Sequence, residues 1–120
     1  MDTDNGHTHT EHDHRGHSLV SVAFAAFQSE APEHAAAWGG AVRGLAEAGA
    51  LDEKTRTLCY LSVLAALRLE TGVPFHAHAA RHAGATREEV IDAVLVGLPA
   101  AGHGVTQALP AALAAFDAPE

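Results

Sequence analysis

Ten consecutive residues, 58–67, read LCYLSVLAAL. A helix built from them is apolar around nearly its whole circumference, and such a helix is covered on every side in a folded protein. In a chain of 120 residues, that requirement calls for a central helix or for a second subunit lying over it. Asp52 stands just ahead, where its carboxylate can cap the helix N-terminus. The pattern predicts a helix running from there to about Thr71.

The rest of the chain is punctuated in the same helical way. Ser18 can cap a first helix that reaches about Gln28, with Leu19, Val20, Ala23, Phe24 and Phe27 on its apolar face. Pro32 suits the first turn of a second helix that ends at Gly49, while Gly39 and Gly40 mark a close approach or a kink in its middle. Gly72 and Pro74 break the third helix from a fourth, about Phe75 to Ala83, with Gly84 as its left-handed C-terminal residue. Thr86-Arg87-Glu88-Glu89 is a capping box. It opens a helix with Ile91, Val94, Leu95 and Leu98 at i, i+3, i+4 and i+7, which Pro99 and Gly102 end. A last helix carries Val105, Leu109, Ala112, Leu113 and Phe116, and Pro110 starts, kinks or splits it. No strand pattern is present, and an alanine-rich chain with only 5% aromatic residues argues against a β-sandwich.

Residues 1–17 differ in kind. They hold five of the ten histidines, His7, His9, His12, His14 and His17, among acidic and small polar residues. Lacking apolar periodicity, they are expected to be a disordered tail ahead of one helical domain over residues 18–120. The formal charge of −8 repels phosphate backbones and disfavours nucleic acid as a partner. No apolar run reaches the ~18 residues of a membrane span, and no basic leader precedes an apolar stretch, so a cytoplasmic protein is expected. Cys59 is the single cysteine, which excludes a two-cysteine redox cycle within one chain.

The stretch from Leu51-Asp52-x-Lys54, through the apolar helix, to His76 with Ala80 and Gly84 has an ordered character of its own. Gly84-Ala85-Thr86-x-Glu88-Glu89-Val90, a further apolar helix and Ala101-Gly102 follow. In that order these features resemble the carboxymuconolactone decarboxylase and alkylhydroperoxidase D family. The resemblance implies an all-α, alkylhydroperoxidase D-like domain of about six packed helices. It also implies a homotrimer or homohexamer, with active sites near subunit contacts.

Departures from the family pattern narrow the chemistry. The peroxidase branch carries Cys-x-x-Cys, and those positions are Leu69 and Gly72 here. Its proton-relaying glutamate corresponds to Thr57. A peroxidatic thiolate needs sulfur, a lowered pKa and a resolving partner, none of which these residues offer. Cys59 is expected inside an apolar helix, where its pKa would rise, so thiol peroxidase activity is excluded. The decarboxylase branch lacks the cysteine pair and keeps a glutamate six residues before the histidine, matching Glu70 and His76. That resemblance implies acid–base chemistry on a small carboxylated or lactone substrate.

Three groups of residues carry candidate chemistry. Glu70 and His76 flank the Gly72–Pro74 turn. A carboxylate there can fix the imidazole tautomer and raise its pKa towards working pH, making His76 a general acid or base. His103, between Gly102 and Gly104, can face His76 and supply a second acid–base group. The bland alternatives are a helix-start histidine, a solvated glutamate and a polar loop histidine.

His78 and His82 stand at i, i+4, the spacing that lets two imidazoles share a metal, with His76 or His103 as further ligands; two exposed histidines is the alternative. The tail histidines can collect zinc, nickel or copper, or serve only as a solubilising extension. Trp38, Phe24 and Phe27 read as core, and Arg43, Arg56 or Arg68 can hold a substrate carboxylate, Arg68 being nearest in sequence to His76. Three classes therefore stay open: an acid–base enzyme, a transition-metal-binding protein or metal-dependent enzyme, and a non-catalytic helical scaffold.

Overall fold

The computed structural model describes residues 20–120, so the five tail histidines and the Ser18 cap lie outside the described residues. Among the described residues the regular structure is entirely helical. The first helix, α1, is Val22–Glu30, and α2 is Pro32–Ala48. Helix α3 is Glu53–Ala66; a 3₁₀ turn, Glu70–Gly72, links it to α4, Val73–His82. Helix α5 is Arg87–Leu95, and a single turn, α6, is Leu98–Ala101. A 3₁₀ helix, His103–Ala108, leads into α7, Leu109–Asp117. No helix here is long and apolar enough to cross a membrane.

The caps explain most boundaries. Asp52 accepts a hydrogen bond from the Thr55 N–H at 2.8 Å and starts α3 as expected. Thr86 and Glu89 close the capping box at 3.0 and 2.9 Å, and Lys54 adds an ion pair to Glu89 at 3.0 Å. Helix α1 begins later than expected, because Ser21 accepts from the Phe24 N–H at 3.0 Å. Gly39 and Gly40 do not interrupt α2. Pro110 sits in the first turn of α7, so the last helical stretch is split there.

Helix α3 ends at Ala66, well short of Thr71. The Leu69 N–H reaches back to the Leu64 carbonyl at 2.9 Å and the Arg68 N–H to the Ala65 carbonyl at 3.3 Å. This is a Schellman ending with Arg68 at the left-handed position, φ 62°. Glycine usually fills that position, because a Cβ there costs ~1–2 kcal/mol. Helix α4 ends in the same motif, with Ala85 N–H to Ala80 carbonyl at 2.9 Å and Gly84 at φ 98°.

The core is built by α3, α4, α5, the second 3₁₀ helix and α7. Leu61, Val73, Val90, Val94 and Val105 are its largest fully buried side chains. The Ser62 hydroxyl donates to the Ala93 carbonyl at 2.6 Å and ties α3 to α5. Helices α1 and α2 form a hairpin packed chiefly on itself, and neither contributes a buried residue.

The expectation that α3 is covered on all sides is not met within one chain. Leu61, Leu64 and Ala65 are buried, while Cys59, Tyr60, Val63 and Leu67 are exposed. Cys59 is therefore a surface residue, not the interior one expected. Trp38 and Phe24 are likewise exposed rather than core, Trp38 by 56%.

Candidate active site

A cavity of about 410 Å³ opens between the α1–α2 hairpin and the outer face of α3 and α4. Phe24, Trp38 and Val42 form its hairpin side, and Tyr60, Phe75 and His76 its core side. Gly39 and Gly72 lie in its wall, so small residues leave room at the points where hairpin and core approach it. Arg43, from α2, is the one lining residue with a fixed charge.

His76 is held by aromatic contacts. Its ring stacks on Tyr60, with centroids 4.3 Å apart and planes 24° from parallel. The edge of Phe75 meets it at 5.2 Å and 73°. Helix α4 delivers His76 one turn after its start at Val73, and α3 delivers Tyr60 one residue before the buried Leu61. Burial removes water from the imidazole and holds its pKa below the ordinary histidine range. The direction is opposite to the rise expected from a neighbouring carboxylate.

The structure brings His76 into this cavity without the two partners the sequence reading gave it. Glu70 lies on the 3₁₀ turn, because α3 stops at Ala66, and it is not among the lining residues. It makes no hydrogen bond or ion pair with His76 among the described residues. His103 opens the second 3₁₀ helix, exposed and outside the cavity wall. The expected convergence of His76, Glu70 and His103 is therefore absent.

The arginines sort differently as well. Arg56 donates to the Ala46 and Leu51 carbonyls at 3.1 and 3.0 Å, closing the end of α2. Arg68 lies over Gly104, where any Cβ would run into its guanidinium. Arg43, furthest from His76 in sequence, is the one at the cavity, and no carboxylate pairs with it among the described residues. Tyr60 carried no signal in the sequence, because its apolar surroundings made it read as core. Trp38 was hidden for the same reason.

On the metal side, His78 and His82 do come together, ring centroids 4.5 Å apart. The third group beside them is Glu120, and neither His76 nor His103 joins them.

A profile of the carboxymuconolactone decarboxylase family matches residues 32–118, from the start of α2 to just past α7. The chain belongs to that family. The match includes both α2 and α4, so every element that supplies Trp38, Arg43, Tyr60 and His76 lies within the family domain. The all-helical architecture agrees with a carboxymuconolactone decarboxylase fold. No curated protein and no solved structure matches the chain.

Proposed function

We propose that this carboxymuconolactone decarboxylase family member is a cysteine-independent acid–base enzyme acting on a small carboxylated lactone. One observation carries the reading: His76 and Arg43 share a single cavity whose other walls are largely aromatic and aliphatic. Apolar walls with a few polar groups placed at fixed points are the usual form of a small-molecule site. About 410 Å³ suits a single small ring with its substituents.

Arg43 holds a substrate carboxylate through its planar guanidinium. The carboxylate it holds is one that is kept. Neutralising a leaving carboxylate would stabilise the ground state more than the transition state. His76 moves the proton. When CO₂ departs, the electrons of the broken C–C bond stay on the ring as an enolate. A bound anionic substrate favours the charged ring against the burial that disfavours it, so the imidazolium protonates that carbon and regains its proton from water. Tyr60 and Phe75 fix the ring plane and exclude water, which strengthens the charge interaction at Arg43.

The exposed apolar residues support assembly into a homo-oligomer as part of the same reading. Val22 is 87% exposed and Leu45 71%, both on the hairpin that forms one side of the cavity. Large apolar side chains left this exposed are suited to a protein contact. Such a contact would also cover the exposed face of α3.

The deciding experiment incubates the full chain with carboxymuconolactone and simpler carboxylated butenolides and measures CO₂ release. The wild-type protein is expected to release CO₂, and His76→Gln to lose at least ~10²-fold in kcat with its helical circular dichroism intact. Undiminished turnover in His76→Gln would remove the histidine from the chemistry. A wild-type protein inert towards the whole substrate set would overturn the decarboxylase reading.

A further inference from the structure

We propose that His78, His82 and Glu120 form a divalent transition-metal site of zinc-type chemistry that staples the C-terminal segment to α4. The site is separate from the cavity and does not depend on the acid–base reading. Two residues advance roughly 200° around a helix, so His78 leaves α4 nearly opposite His76.

The donor set is right for the metal. Two imidazole nitrogens and one carboxylate oxygen make a His₂Glu set, which leaves an open fourth position on tetrahedral zinc. One donor atom from each of the three residues lies within 4.8 Å of the other two. Ligand atoms bound to one zinc at ~2.0–2.1 Å sit closer together than that. Small side-chain rotations close the gap. His82 and Glu120 are exposed and His78 half-buried, so those rotations meet little resistance.

The approach of Glu120 is not the chance resting place of a loose end. Arg81 donates through Nη1 to the Phe116 carbonyl at 2.7 Å and to the Ala118 carbonyl at 2.9 Å. Arg87 grips Asp117 with paired hydrogen bonds of 3.0 Å. These contacts hold the chain from Phe116 to Ala118 against α4 and α5, two residues short of the Glu120 carboxylate, which lies 3.3 Å from His82 Nε2. Arg81 Nε stands 3.9 Å from the other Glu120 oxygen, an ion pair that leaves one oxygen turned to the histidines. An ordinary His82–Glu120 surface pair would need only one imidazole. The second, His78, stands one helical turn before the first and packs edge-on against it at 4.5 Å, so the same cation is offered two nitrogens.

The test uses the full chain, with zinc sulfate as the probe, against His78→Ala/His82→Ala and Glu120→Gln. The tail histidines give the same background in all three proteins, so the difference counts the core site. The wild-type protein is expected to bind one more equivalent of zinc per chain than the double variant. It should also melt several degrees higher with zinc than without, since a ligand specific to the folded state raises its stability. The double variant should lose that shift, and Glu120→Gln should weaken the added equivalent at least tenfold. Equal stoichiometry in wild type and double variant, or a wild-type melting point indifferent to zinc, would overturn the site. CO₂ release is not read in this experiment, so its outcome and that of the decarboxylase reading are independent.

Discussion

The imidazole of His76 lies flat against the phenol of Tyr60, centroids 4.3 Å apart and planes 24° from parallel. The pair joins α4 to α3 at the wall of the cavity, and both rings owe their position to buried neighbours. Ala77 follows His76 and Leu61 follows Tyr60, and both are fully buried. The imidazole of His76 is thus positioned by core packing rather than by a hydrogen-bonded carboxylate.

Tyr60→Phe should therefore keep nearly full activity, since the stacking face is retained. Tyr60→Ala should lose roughly two- to tenfold in kcat, the equivalent of the ~0.5–1.5 kcal/mol carried by such an aromatic pair. Steady-state kinetics on both variants check this. A Phe variant as impaired as the Ala variant would instead assign the work to the hydroxyl.

Arg43→Gln removes the one fixed charge in the cavity wall. A lost charge-assisted hydrogen bond costs ~1.5–3 kcal/mol, so KM should rise roughly 10- to 100-fold with a smaller change in kcat. Arg68→Gln removes the same charge from a residue engaged over Gly104, and KM should stay within about twofold of wild type. The arginine hypothesis fails if the two variants behave alike.

Acid should weaken the protein at its helix caps and at the Arg87–Asp117 pair. The Thr55 N–H holds the Asp52 carboxyl below its ordinary value of 3.8, and the Thr86 N–H, helped by Lys54, holds Glu89 below 4.5. Arg87 does the same for Asp117. In each case the folded state binds protons less readily than the unfolded one. The stabilisation is complete above the ordinary carboxylate values and is lost as the pH falls through the lowered ones. Melting temperature should fall on acidification below that range. Asp52→Asn keeps a good cap but cannot titrate, so it should melt close to wild type at neutral pH and show a shallower acid decline.

Leu45→Glu places a charge on the exposed apolar face of α2. If copies of the chain meet there, sedimentation velocity should show the wild-type oligomer giving way to a smaller species with unchanged helix content. A wild-type protein that sediments as a monomer at all concentrations would remove the assembly from the reading.

The two Schellman endings show where legibility stopped. Gly84 announces the end of α4 because glycine is the residue a left-handed position prefers. Arg68 takes the same conformation at the end of α3 without any such mark, held by the backbone hydrogen bonds of the Schellman ending. The misjudged end of α3 then carried Glu70 onto a helix in the sequence reading, when it lies on the turn beyond. The resemblance that pairs Glu70 with His76 rests on spacing along the chain, and spacing does not fix which way the turn carries the carboxylate. Cys59, Trp38 and Phe24 were misplaced for a related reason. Apolar character in a sequence marks what avoids water, but does not separate an internal core from a cavity wall or a surface that meets another subunit.

Local chemistry by itself determined the helical class, the caps at Asp52 and Thr86 and the glycine at residue 84. Each of these is settled by residues within a few positions of one another, through backbone hydrogen bonds. The tertiary structure decided that Arg43 rather than Arg68 shares a cavity with His76, that Tyr60 supports its ring, and that Glu120 meets His78 and His82. Those relations join residues far apart in the chain, and only the way α2, α3, α4 and the segment after α7 pack can bring them within reach.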